Sequence, residues 1–205
     1  MLEILEILDK EFPNVKSELE YETVFQLLIA VTLSAQTTDV AVNKVTKNLF
    51  ALYPDAQSLA QADPSKVQEI LREIGMYRNK TKFIIAASQA LVEHYDGEVP
   101  QTRKELESLP GVGRKTANVV LSEGFGIPAI AVDTHVARVT KRLGFADEKD
   151  SVLKVEQKLQ KLIPKEMWHQ AHHLLLLFGR YHSTASNQED IYMTLNRLKE
   201  KHKDV

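Results

Sequence analysis

Residues able to do chemistry concentrate in one stretch, Leu109-Pro110-Gly111-Val112-Gly113-Arg114-Lys115-Thr116-Ala117. Two glycines flanking one residue, followed at once by two cations, can aim backbone N–H donors and positive charge at a single phosphate. The spacing excludes a nucleotide-binding P-loop: Lys115 follows Arg114 rather than glycine, and no glycine stands five residues before Gly113. A dinucleotide-binding loop is excluded as well, because no strand pattern leads into the glycines. Two readings remain: a purely structural turn, or a helix-hairpin-helix motif, which grips a nucleic-acid backbone without reading its sequence. Elsewhere, His169 and His173 stand four apart, with His172 and His182 close by. No Glu occupies a His-Glu-x-x-His position and no third ligand is evident, so no metal is assigned.

The elements that must position this stretch are helical. Thr102-Arg103-Lys104-Glu105 has capping-box spacing and opens a short helix with Leu106 and Leu109 on one face. Pro110 and Gly111 stop it, and a second helical pattern runs through Ala117, Val120 and Leu121, so the motif spans about residues 102–121. Upstream, Leu2, Leu5, Leu8 and Phe12 line a first helix ending before Pro13, and Thr23–Leu33 is apolar nearly all round, as a central buried helix would be. Thr38 caps a helix carrying Val42, Val45 and Leu49. Asp63-Pro64 starts another, with Val67, Ile70, Leu71 and Ile74 buried and Gly75 at its end. Phe83, Ala87, Ala90 and Leu91 continue the pattern to Gly97.

Downstream, Asp133–Leu143 reads as a helix closed by Gly144, and Ser151–Ile163 as one carrying Val152, Val155, Leu159 and Leu162. Met167–Phe178 is an apolar helix stopped by Gly179. A last helix, capped by the spacing of Ser186 and Glu189, places Ile191, Leu195 and Leu198 on one face. No segment alternates as a strand does, so the expected fold class is all-α.

At 205 residues, with 43% hydrophobic and 26% charged, the chain can bury a substantial core. It enters directly into an acidic amphipathic pattern at Glu3, Glu6 and Asp9, so no signal peptide is expected. Its most apolar run, Phe25–Leu33, falls well short of the roughly 20 residues a membrane span needs. A soluble, cytoplasmic protein with no membrane partner is the expectation. The net charge of −2 does not advertise a nucleic-acid binder, but Arg103, Lys104, Arg114, Lys115, Arg138, Lys141 and Arg142 fall near the hairpin in sequence. Arg78, Lys80 and Lys82 form an earlier group. Each group alone reads as a solvated helix face. There are no cysteines, which excludes disulfides and any thiolate-held zinc or iron–sulfur cluster.

The run Leu109–Leu121 followed by Ala131-Val132-Asp133-Thr134-His135 closely resembles the endonuclease III family of DNA glycosylases. Leu33-Ser34-Ala35-Gln36-Thr37-Thr38-Asp39 and Gly179-Arg180-Tyr181 are similar to segments of the same family. The resemblance implies a two-lobed helix-hairpin-helix glycosylase fold with the active site in the cleft between lobes. One lobe would be a six-helix bundle over residues 17–127; the other would join 1–16 to 128–205. Most family members carry four cysteines after the Gly-Arg-Tyr segment that hold a [4Fe–4S] cluster. Here Ser183, Asp190, Met193 and Lys199 stand at those positions, and a plain helix is expected in place of the cluster loop.

The resemblance implies that Lys115 and Asp133 are catalytic and face each other across the cleft. A lysine amine attacks C1′ of a damaged nucleotide, expels the base and forms a Schiff base; β-elimination then breaks the strand. An ordinary lysine, with a pKa of about 10.4, leaves roughly four in ten thousand amines free at pH 7. The positive helix end, neighbouring Arg114 and partial burial of Lys115 would all favour the free amine. Asp133 would stabilise the cationic, sugar-like transition state and assist proton transfer. Its plain reading is the N-cap of the helix it opens, and the two roles are compatible.

Gln36 matches the family glutamine that inserts into the duplex, and Met76 stands where the family places an apolar wedge. Their plain readings are an ordinary helix-end residue and a core contact with Ile74 and Tyr77. Gly111, Val112, Gly113, Arg114, Thr116 and Arg138 would bind DNA, and His135 would support the cleft. No cofactor is expected beyond a monovalent cation, which hairpin carbonyls of this motif hold in relatives. The implied activity is base excision repair by a monomer: removal of oxidised pyrimidines from double-stranded DNA and cutting at abasic sites. Two other readings compete. A monofunctional mismatch glycosylase usually has Ser or Tyr at the Lys115 position, and a non-catalytic lesion-binding protein needs neither Lys115 nor Asp133.

Overall fold

The computed structural model describes residues 1–187 and 189–202. Among these every regular element is helical. The chain divides into two compact units, Ser17–Ile127 and Met1–Lys16 with Pro128–Val205.

The first unit is built on α2 (Val24–Leu33), in which every residue except Val24 is buried. Thr23 caps it by accepting from Gln26 N–H, so a run that carries no charge begins at a defined residue. Around it lie α3 (Asp39–Leu52), α6 (Tyr77–Tyr95) and α8 (Arg114–Val119), which continues as a π-helical turn over Val120–Gly124. Thr38 caps α3 and Asp63 caps α5 (Pro64–Leu71), with Pro64 in the first turn, where its missing N–H is harmless. Helix α5 stops at Leu71 rather than at Gly75; a turn from Ile74 N–H to Leu71 O still delivers Ile74 to the core. The short α4 (Ala56–Ala60), held by a capping box between Asp55 and Ser58, escaped the sequence pattern because it is too brief to show a period. Thr102 caps α7 (Arg103–Ser108) through Glu105 N–H.

The second unit packs α1 (Leu2–Glu11), α9 (Thr134–Arg142), α10 (Val152–Leu162), α11 (Trp168–Tyr181) and α12 (Ile191–Lys201) around one core. Phe178, Leu8, Val139, Leu159 and Leu175 are fully enclosed in it. At about 1.5–3 kcal/mol per large apolar side chain, such residues supply the main drive for folding this unit. Several stripes are rotated from their expected register: Ile4 is buried while Leu2 is exposed, and Val152 and Leu162 of α10 are exposed beside buried Val155 and Leu159.

Two helix ends differ from expectation. Gly179 does not stop α11, which continues to Tyr181. A Cβ at Gly179 would lie 2.9 Å from His135 Cβ and 3.2 Å from Val139 Cγ2, so this glycine allows α11 to cross α9 closely. Helix α12 is capped by Asp190, which accepts from Tyr192 and Met193 N–H, and not by the Ser186–Glu189 pair. The intervening Gln188 lies outside the described residues. Among the described residues no helix is long and apolar enough to cross a membrane.

Candidate active site

In the first unit, the hairpin is closed by Val112 N–H donating to Leu109 O at 3.1 Å. Gly111 sits at φ +78°, and a Cβ there would come within 2.6 Å of Phe83 Cβ, so only glycine lets the turn lie against α6. Gly113 then N-caps α8 without a side chain, and the first-turn amides of that helix meet no capping group from their own cap residue. These are the groups that suit a phosphate oxygen. Lys115 is the second residue of α8 and is exposed, which corrects the expectation of partial burial. Arg114 and Thr116 flank it half-buried, while Val112 and Ala117 anchor the turn in the core.

Three further positions of the same unit carry strain, one of them Asp96 (φ 53°) at the end of α6. Gln36 (φ 54°) and Met76 (φ 55°) both adopt the left-handed conformation that non-glycine residues avoid. Such residues cost on the order of 1–3 kcal/mol each and cluster where loops are shaped for a ligand. Gln36 is exposed at the tip of a turn in which Thr37 N–H donates to Ser34 O. Met76 precedes α6 and leaves 49% of its surface open, which does not suit a core contact. Between these turns runs a residue that sequence reasoning had placed only in a basic group. Lys80 is buried, and its Nζ donates to Thr37 Oγ1 at 2.6 Å. Burial pushes its pKa below the ordinary lysine range. The available signal was its register: Lys80, Ile84 and Ser88 repeat every four residues on the buried face of α6.

In the second unit, Asp133 N-caps α9: Oδ1 accepts Val136 N–H at 2.8 Å and Oδ2 accepts no hydrogen bond among the described residues. The carboxylate is half-buried, fixed by its cap and open at one oxygen. Further along α9, Arg138 donates to Gly179 O at 2.8 Å and to Ser183 O at 2.9 Å, and lies 3.2 Å from His135 Nδ1. Burial and neighbouring Arg142 draw the Arg138 pKa down, against the pull of Asp133. The guanidinium is thus committed to tying α9 to the end of α11. His172 is buried with Nδ1 2.7 Å from Ala131 O, and His173 is buried beside it.

The positions aligned with the cluster cysteines are spread through the last part of the chain. Ser183 is buried and accepts from Arg142, Asp190 caps α12, Met193 is exposed, and Lys199 pairs with Glu3 at 2.6 Å. This donor set contains no thiolate and does not fit an iron–sulfur cluster.

Residues 29–165 match the family model described as the HhH-GPD superfamily base excision DNA repair protein. Endonuclease III of Bacillus subtilis (strain 168) is 52% identical over 176 residues, covering 86% of this chain and 80% of that protein. Endonuclease III of Escherichia coli (strain K12) is 47% identical, covering 88% of this chain and 85% of that protein. Among solved structures, a trapped endonuclease III–DNA covalent intermediate superposes with a TM-score of 0.89 at 48% identity, covering 98% of this chain and 96% of its own. A thermostable thymine-DNA glycosylase shares the fold at a TM-score of 0.79 and 23% identity, covering 90% of this chain and 86% of its own. The all-helical architecture agrees with these matches, and the chain belongs to the endonuclease III family of HhH-GPD base excision DNA repair proteins.

Proposed function

We propose that Lys115 is the nucleophile and Asp133 the assisting carboxylate of a base excision repair glycosylase that is also an abasic-site lyase. Membership of the endonuclease III family makes the chain an enzyme of this bifunctional class. The observation that carries the residue assignment is the position of Lys115: exposed, on the first turn of α8, directly behind Gly111–Gly113. The donors suited to a phosphate and the amine that attacks the sugar therefore ride on one turn of backbone.

The Lys115 amine bonds to C1′ as the C1′–base bond breaks, and the departing base takes a proton. The sugar ring opens to an imine, which acidifies C2′. Loss of the C2′ proton expels the 3′ phosphate, and water releases the lysine. Asp133 stabilises the positive charge that develops at C1′ and relays the proton. Its capping bond to Val136 N–H holds the carboxylate in orientation before substrate arrives.

The substrate is double-stranded DNA carrying oxidised pyrimidines, and the enzyme acts as a monomer in the cytoplasm, on the nucleoid. Gly111, Val112, Gly113, Arg114 and Thr116 hold the backbone. Gln36 and Met76 fill the gap left by the extruded base, whose removal from the stack costs a few kcal/mol. His135 supports the site, and Arg138, expected to bind DNA, instead braces α9 through Gly179 O and Ser183 O. The hairpin carbonyls are hard oxygen donors that would hold a monovalent cation, which would supply positive charge for a nearby phosphate.

Duplexes carrying dihydrouracil, thymine glycol or a mispaired adenine test this reading. The expected result is strand cutting of the first two without alkali, and none of the third. Base release that needs alkali for cutting would make the enzyme monofunctional.

A further inference from the structure

Lys80 takes no part in the chemistry above, yet only 3% of its surface is exposed. Its ammonium donates to Thr37 Oγ1 at 2.6 Å, and no carboxylate pairs with it among the described residues. A methionine would fill the same space without desolvating a charge, so stability alone does not account for a lysine here. What it joins is informative. Thr37 closes the turn that carries Gln36, through its N–H to Ser34 O at 3.0 Å. At the other end, Lys80 N–H donates to Met76 O at 3.0 Å, forming the first turn of α6. Gln36 and Met76, two of the three exposed, left-handed non-glycine residues of the unit (Asp96 is the third), therefore neighbour the two groups that Lys80 bonds, one through its side chain and one through its backbone.

We propose that Lys80 is a positioning residue whose bond to Thr37 locks the Gln36 turn to the start of α6, so that Gln36 and Met76 enter the duplex as one preformed wedge. The inference rests on the assignment of Gln36 and Met76 as the inserted residues. Left-handed side-chain-bearing residues persist only where their surroundings over-determine them, and the Lys80–Thr37 bond supplies such a constraint from the buried side. A wedge ordered in advance spares the ordering cost at the moment of base extrusion.

The test compares wild type, Lys80→Met, Thr37→Val and the double variant in single-turnover borohydride trapping. Each is given an abasic-site duplex and the same abasic strand alone, where nothing needs to be displaced. The expected result is a loss of roughly 10-fold or more on the duplex and a change within about twofold on the single strand. Thr37→Val moves the same way, and the double variant is no worse than Lys80→Met, because both remove one link. Equal losses on both substrates, or no loss on the duplex, would overturn the proposal. So would weaker binding of undamaged duplex with a salt slope reduced by about one, the mark of a phosphate contact. If wild type traps neither substrate, the Schiff-base reading fails on its own. The Lys80 inference is then decided by the fluorescence of 2-aminopurine beside the abasic site: lower unstacking in Lys80→Met supports it, and equal unstacking sinks it.

Discussion

Asp133 Oδ1 caps α9 while the same carboxylate is assigned to the sugar cation, and two substitutions separate these roles. Asn caps about as well as Asp, so Asp133→Asn should leave stability within about 0.5 kcal/mol of wild type. Losing the charge should still lower the base-release rate by roughly 100-fold. Asp133→Ala should lose both activity and about 1 kcal/mol of stability, read from denaturant midpoints. A fully active Asp133→Asn variant would leave Asp133 as a cap only. At this scale the sequence was uneven. Asp133 was legible because Asp before a helical run has one obvious backbone use. Lys80 was not, since a lysine is ordinarily assigned to water and only its register on α6 marks it as inward-facing. The left-handed Gln36 and Met76 carry no composition signal at all, because nothing in either side chain favours that backbone.

At the scale of elements, the hairpin depends on Gly111 for two reasons that act together, its φ of +78° and the 2.6 Å approach to Phe83 Cβ. Gly111→Ala should destabilise the protein by about 2 kcal/mol or more in chemical denaturation and weaken binding of undamaged duplex. Gly113→Ala, with open space around its Cβ position, should cost much less. The loop into α10 offers a second check. The buried side chain of Asp150 accepts from Lys158 and from Asp147 N–H and pairs with Lys154. The Lys158 bond, above all, holds its pKa well below the carboxylate range. A depressed acid contributes stability above its unfolded pKa of about 3.9, and that contribution is lost as pH falls toward the folded value. Thermal midpoints between pH 7 and pH 2 should therefore fall more steeply for wild type than for Asp150→Asn, which starts lower. Most helices were readable from caps and apolar spacing. Gly179 misled because glycine can mark a close crossing as well as a stop, and the Ser186 cap misled because Asp190 competes for the same helix.

For the whole molecule, the departure from the family pattern is the cluster-free tail. Protein contacts hold this part of the chain. Arg142 donates to Ser183 Oγ, Thr184 O and Asn187 O, and Tyr192 donates to Leu143 O at 2.9 Å. Glu11 pairs with Lys201 and His202, while Glu3 pairs with Lys199. Ile191, Leu195 and Leu198 complete the core beneath them. Arg142→Ala should destabilise the described segment from Ser183 into α12 by about 1–3 kcal/mol, seen as faster amide exchange there. The absence of a cluster was plain in a chain without cysteine; the Arg142 bonds that hold the segment after α11 were not, because nothing in the sequence pairs an arginine with carbonyls more than forty residues away.

The central claim is that Lys115 forms a Schiff base with an opened sugar. Borohydride trapping on an abasic-site duplex, comparing wild type with Lys115→Gln, tests it most directly. The account predicts a covalent protein–DNA adduct with wild type and none with the variant. An undiminished adduct in Lys115→Gln, or none in either protein, would contradict it.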